Sequence, residues 1–361
     1  MRFAFFGSSL VSSYWNGACT YYRGVIRGLH ERGHEVVFYE PVAYTRQEHR
    51  DIDDPHYARV VIYAAETEAQ VLETVESARG TADVVVKTSG VGVHEHLLER
   101  AVLDLDAPVT IFWDVDAPAT LGQMEADADD ALLACIGDFD LVLTYGGGDP
   151  VVRRYEAAGA RECIPIYNAL DPATHHPAAE RADLRADLAF LGNRLPDREA
   201  RVEEFFFRAV GLLPERAFLL GGSGWGDHHM PDNVRYLGHV GTGDHNALNC
   251  SPLSVLNVSR ESMAANGFSP ATRVFEAAGA GACLITDAWE GVELFLDPGS
   301  EVLVARDGAE VAELVGDLDP AHAKRIGQAA RRRVLEEHTY AQRAEQVEAV
   351  LEGRTAGSTA A

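Results

Sequence analysis

Arg273 and Glu276 stand three residues apart behind Ser269-Pro270. That spacing sets a guanidinium and a carboxylate on one face of a helix, close to the N–H groups that open it. Such a helix start suits phosphate, and the two side chains can hold an anion and a hydroxyl side by side; they can equally form an exposed ion pair and nothing more. Asp114-Val115-Asp116 closes the apolar run Val109 to Trp113. A carboxylate at a strand end can take a proton from a hydroxyl, or either aspartate can cap the helix after Pro118, and a metal-holding DxD ranks last. Arg194 and Arg198 follow Leu188 to Leu191 in Gly192-Asn193-Arg194-Leu195-Pro196-Asp197-Arg198, where a guanidinium can fork onto phosphate or pair with Asp197 or Glu199.

These residues need elements to hold them. Ser254 to Val258 reads as a buried strand. Ser269 is expected as the N-cap and Pro270 as the first helical residue of a helix running to Ala280, with Gly279 and Gly281 loosening the exit before Cys283 to Thr286 resumes as a strand. The chain opens in the same way: strand Phe3 to Phe6, helix Tyr21 to Arg32, stop Gly33, strand Glu35 to Tyr39. Without G-x-G-x-x-G a dinucleotide site is disfavoured. Asn16 and Gly17 sit in the first loop, which is either a plain turn or a ligand loop. Asp83 to Lys87 is a further strand, and Ser89, Gly90 and His94 behind it are ligand candidates or, for His94, a solvated helix start. Pro41 to His56 is a charged, turn-rich connection that yields no reading.

The chain has 361 residues, enough for two domains, and a formal net charge of −25 with no basic run longer than three residues. Nucleic acid and anionic membranes are therefore poor partners. Cys19, Cys135, Cys163, Cys250 and Cys283 are scattered singly, as reduced thiols are, and neither they nor the His175-His176 pair show metal-ligand spacing. No stretch has the length of a signal peptide's apolar region or of a membrane span, so a cytoplasmic protein without stable membrane insertion is expected.

Arg273-Val274-Phe275-Glu276, Ala277 to Gly281 and Leu284-Ile285-Thr286-Asp287 resemble the donor-binding core of GT-B glycosyltransferases, most closely the CgeB-like branch. Glu290 to Phe295, Gly299 to Leu303 and Asp307 continue the pattern. The resemblance implies an α/β protein of two Rossmann-like domains facing across a cleft, with a C-terminal helix crossing back to the first. The expected division is 1–170 on the acceptor side, 171–338 for the donor, 339–353 for the helix and 354–361 as a disordered tail. It also implies metal-independent sugar transfer from a UDP-, GDP- or dTDP-sugar to a small-molecule, glycan or protein acceptor, by a monomer or homodimer with no obligatory cofactor. By resemblance Arg194, Arg198, Arg273 and the Ser269 helix start hold phosphate, Glu276 the ribose, and the backbone at His239 and Val240 the base. Gly222 and Arg260 line the donor, Asn16 and Gly17 approach donor or acceptor, and Asp114, Asp116 or His94 serve catalysis. Glu276 ends the family's E-x7-E motif, whose first Glu is replaced by Phe268, leaving the stereochemical outcome open. A nucleotide-sugar epimerase or hydrolase, or a non-catalytic nucleotide-sugar-binding or spore-envelope protein, fits the same fold.

Overall fold

Val84, Val85 and Val86 are all buried, as are Ile111, Phe112 and Trp113. Runs apolar on both faces are what a parallel sheet covered by helices requires. The computed structural model describes residues 1–14 and 16–358, which divide into two units, Met1–Tyr167 with Tyr340–Ala361, and Asn168–Thr339.

In unit 1 the chain runs β1 (Arg2–Phe6), α1 (Cys19–Glu31), β2 (Glu35–Pro41), β3 (Arg59–Tyr63), α2 (Glu68–Glu76), β4 (Val84–Thr88) and α3 (Glu95–Leu103). It continues through β5 (Val109–Asp114), α4 (Ala117–Ala126), β6 (Leu141–Thr144), α5 (Gly148–Ala157) and β7 (Cys163–Pro165). The seven strands lie parallel in the order β3-β2-β1-β4-β5-β6-β7.

Unit 2 runs β8 (Leu188–Leu191), α6 (Glu199–Val202), a π turn over Glu203–Phe207, α7 (Arg208–Leu212), β9 (Phe218–Gly221), β10 (Val234–Gly238) and α8 (His245–Cys250). Then come β11 (Ser254–Asn257), α9 (Glu261–Asn266), α10 (Thr272–Ala280), β12 (Leu284–Asp287), β13 (Leu303–Ala305), α11 (Gly308–Asp317) and α12 (Pro320–Glu337). Its six parallel strands are ordered β10-β9-β8-β11-β12-β13. Both units are thus Rossmann-like, and each order reverses once, between β1 and β4 and between β8 and β11. Loops leaving those strand pairs flank the crevice where open α/β sheets take ligands.

The last helix, α13 (Tyr340–Ser358), belongs to unit 1. Two glycines of α1 admit it: a Cβ on Gly24 would lie 2.2 Å from the Tyr340 ring, and one on Gly28 would lie 2.8 Å from Ala344. Residues 354–358 are helical, because Arg354 anchors the last turns through the Asp140 carbonyl and the Glu162 carboxylate; residues 359–361 lie outside the described ones. Among the described residues no helix is long and apolar enough to cross a membrane.

Candidate functional site

The loop between β11 and α10 is built differently from its expected capped start. Ser269 does not cap the helix; its hydroxyl donates to the Gly267 carbonyl (2.8 Å), and the N-cap position falls on Ala271, without a side-chain cap. Gly267 (φ +67°) and Phe268 (φ +46°) make the turn, and the Phe268 N–H is tied to the Glu290 carbonyl at 2.6 Å. Left-handed backbone at a phenylalanine costs of order 1–3 kcal/mol and persists only where its surroundings enforce it. The outcome is an α10 N-terminus with neither a capping side chain nor an acidic residue in its first turn, so its dipole and free N–H groups face no built-in anion.

Two arginines lie beside it. Arg273 keeps 17% of its side chain exposed, and its nearest acid is Glu276 at 3.9 Å. Burial pulls its pKa down against the attraction of Glu276. Arg198, from the loop after β8, donates from Nη2 to the Asn193 carbonyl (3.0 Å), while its Nε is buried without a partner. Burial, then the charge of Arg273, lowers its pKa to about 10, against the pull of Asp197. A guanidinium still charged at neutral pH but under-compensated is poised for an anion. Arg194 and Arg260 are committed elsewhere. Arg194 pairs with Glu199 (2.6 Å) and Asp227 (2.8 Å) over the Trp225 ring, and Arg260 pairs with Asp197 (2.5 Å).

Glu276 has its two oxygens divided, one 3.9 Å from Arg273 and the other 3.8 Å from His175 Nε2. Neither distance is a hydrogen bond, so the half-buried carboxylate keeps acceptor capacity for hydroxyls. His175, His245 and Glu276 bring ligand-type atoms within 4.8 Å of one another. The set is one that a divalent cation can use, opposed by the neighbouring Arg273 charge. His245 has its pKa lowered by burial and by Arg273 and His175, against Glu276 and a hydrogen bond to the Val240 backbone. His239 is exposed and Val240 half-buried, just past β10.

The loops after β8, β9 and β10 are knitted by backbone. Gly192 N–H donates to the Gly221 carbonyl (2.9 Å), Gly222 N–H to Gly238 (2.7 Å), and the Trp225 indole to Gly192 (2.9 Å). Gly222 has φ +121°, and a Cβ there would lie 2.2 Å from the Gly192 carbonyl oxygen. Gly222→Ala is therefore expected to lower stability by roughly 2–4 kcal/mol, read from urea unfolding midpoints; a loss within 0.5 kcal/mol (about the scatter of a neutral surface change) would contradict this packing.

The unit 1 candidates are mostly used by the fold itself. Asp114 is 0% exposed, and its carboxylate accepts from Ser89 Oγ (2.7 Å), the Asp116 N–H (2.9 Å), Thr120 Oγ1 (3.1 Å) and Tyr155 Oη (2.5 Å). A strand-end carboxylate so enclosed holds the β5–α4 turn. Asp116 is half-buried at the N-cap position of α4 without a capping bond. His94 takes φ +49° ahead of α3 and its ring meets the Ala65 carbonyl (3.1 Å), a positioning contact. Asn16 is buried, its amide donating to Ser9 and Ser12 carbonyls and its oxygen accepting from Ser8, so it shapes the first loop instead of reaching out. Gly17 is exposed, with open space about its Cα.

The two parallel sheets, each with one reversal of strand order, are shared with known proteins. Sucrose-phosphate synthase from Thermosynechococcus elongatus superposes over 99% of this chain and 100% of its own with a TM-score of 0.73 at 15% identity. The chain has the fold of the GT-B glycosyltransferase superfamily. Other GT-B matches include Anabaena HepE in complex with UDP and glucose (TM-score 0.66, 12% identity, 98% of this chain and 100% of that one) and T4 phage BGT in complex with UDP-glucose (0.61, 11%, 98% and 98%). Residues 198–349 match the family described as glycosyl transferase-like. That span holds Arg198, Arg273 and Glu276 of the GT-B second unit. No curated protein sequence matches the chain.

Proposed function

We propose that the protein transfers a sugar from a nucleotide-sugar donor to an acceptor nucleophile, with unit 2 holding the donor. The observation that carries this reading is the pair of under-compensated arginines, Arg198 and Arg273, beside the uncapped start of α10 at the β8/β11 reversal. HepE and T4 phage BGT, which share this fold, carry UDP with glucose and UDP-glucose. In this reading Arg198, Arg273 and the α10 N–H groups hold the diphosphate, and Glu276 accepts from the ribose hydroxyls. In the same reading the backbone at His239 and Val240, just past β10, reads the base.

Transfer breaks the bond between the anomeric carbon and the diphosphate oxygen and forms one to the acceptor oxygen, whose proton leaves to the departing phosphate or to a base. The arginines bind more strongly as negative charge grows on the leaving group, which is what lowers the barrier. In this reading the cations that meet the diphosphate are side chains, and transfer is independent of metal. The CgeB-like pattern of Arg273 to Glu276 and Leu284 to Asp287 belongs to the same reading.

Thermal shifts with UDP, GDP, dTDP, ADP and CMP test the donor half. A nucleoside diphosphate at a hundred times its Kd stabilises by about 2.7 kcal/mol. The expected result is a base-selective rise that persists in EDTA; no rise at millimolar ligand would overturn the donor site. Donor consumption that needs no acceptor would favour a hydrolase or epimerase over transfer.

A further inference from the structure

Arg46 lies in the Pro41–His56 connection, where the sequence alone suggests nothing. It is 4% exposed, and its guanidinium sits at the unit 1 reversal, Nη1 donating to the carbonyls of Ser8 (3.3 Å), just past β1, and Val91 (3.1 Å), just past β4. The opposite edge is idle: Nε is buried with no partner, and Nη2 makes no hydrogen bond among the described residues. Among the described residues no carboxylate pairs with it either. Its acidic neighbours are engaged: Glu40 accepts from the Leu10 N–H (2.7 Å) and the Gln47 amide (2.6 Å), and Glu95 holds Lys87 (2.5 Å) and the Gly92 N–H (2.7 Å). A chain with 56 acidic residues does not lack partners for a buried cation. Leaving one unpaired is costly unless a ligand supplies the charge.

Tyr44 covers this cation. Its ring centroid is 4.9 Å from the guanidinium carbon, the residue is 54% exposed, and its hydroxyl donates to the Gly92 carbonyl at 2.6 Å. Tyr44 and Thr45 both have φ +53°, a conformation that is costly for an aromatic and more so for a β-branched residue. One hydrogen bond and one cation–π contact thus hold a strained cover over a free guanidinium edge.

We propose that the Nε/Nη2 edge of Arg46 is an anion-binding site for a carboxylate or phosphate carried by the acceptor, and that Tyr44 swings aside to admit it; the word acceptor rests on the transferase reading above. The planar fork matches two oxygens of one anion, and the Tyr44 ring offers an apolar face to the rest of the ligand.

Binding of glucose, glucose 6-phosphate and glucuronate to the full chain, measured by calorimetry beside UDP, tests the site. Wild type is expected to favour at least one charged sugar over glucose by tenfold or more, and which one names phosphate or carboxylate as the source. Arg46→Gln is expected to abolish the preference and Arg46→Lys, which keeps the charge without the fork, to weaken it at least fivefold. Equal binding of all three sugars by wild type, or an unchanged preference in the folded Arg46→Lys protein, would overturn the proposal. UDP binding is read in the same samples: if it persists while the preference is absent, the Arg46 site alone fails, and if it is absent while the preference persists, the donor reading alone fails.

Discussion

Arg273→Ala is expected to weaken nucleoside diphosphate binding by roughly 30-fold to more than 1,000-fold, the 2–5 kcal/mol that truncating one partner of a buried charged contact costs. The fold is expected to survive. Arg273 gives the free protein little, since its nearest acid is 3.9 Å away and burial works against its charge. Its removal relieves that cost, so the melting temperature without ligand should hold steady or rise, as happens where function is kept at the expense of stability. Glu276→Ala should behave differently. Its loss removes acceptors for ribose hydroxyls, so the ratio of UDP to 2′-deoxy-UDP affinity should fall toward one while the diphosphate arm is retained. Calorimetry on both variants decides: unchanged UDP affinity in Arg273→Ala, or an unchanged ribose preference in Glu276→Ala, would remove these residues from the donor site.

The framework was legible because it rests on local pattern. Ser254 to Val258 and Cys283 to Thr286 announce strands by apolar, β-branched composition, and both lie within a residue or two of β11 and β12. The start of α10 was misread for an equally physical reason. Ser-Pro is a strong capping signal, but the turn is set by left-handed backbone at Gly267 and Phe268, and a phenylalanine gives no hint that it will adopt it. Carboxylates at strand ends were read as facing ligand; Asp114 shows that Ser89, Thr120 and Tyr155, each from a different stretch, can enclose one completely. His175, His245 and Glu276 meet only in three dimensions, and spacing cannot reveal such a set. Arg46 was invisible because what distinguishes it is the absence, among the described residues, of an acidic partner, a property of the folded chain.

Arg201→Met is expected to be the most destabilising change near the candidate site of unit 2, at about 3–5 kcal/mol, the usual consequence of stripping the partner from a buried charge. Asp287, at the end of β12, is wholly buried. It takes a bond from Arg201 Nη2 (2.6 Å) and others from the Ser259 N–H (3.0 Å), Ser259 Oγ (3.1 Å) and Thr286 Oγ1 (3.2 Å). These contacts stitch β12 to the segment leaving β11 that leads to Arg260 and α9. Even so, burial outweighs Arg201 and holds the Asp287 pKa above its ordinary value. The sign follows: a carboxyl whose folded pKa lies above its unfolded one contributes stability that is complete below the unfolded value, near 3.9, and is lost as pH rises through the folded value. Without Arg201 the folded pKa must rise further, so the penalty of Arg201→Met should be greatest at neutral pH and shrink as the pH is lowered toward that of the protonated acid. Urea unfolding of wild type and variant between pH 7.5 and 5 measures it. A penalty that stays constant across that range would mean Arg201 acts by packing against Phe205, whose ring lies 5.3 Å from its guanidinium carbon, and not by holding the Asp287 charge.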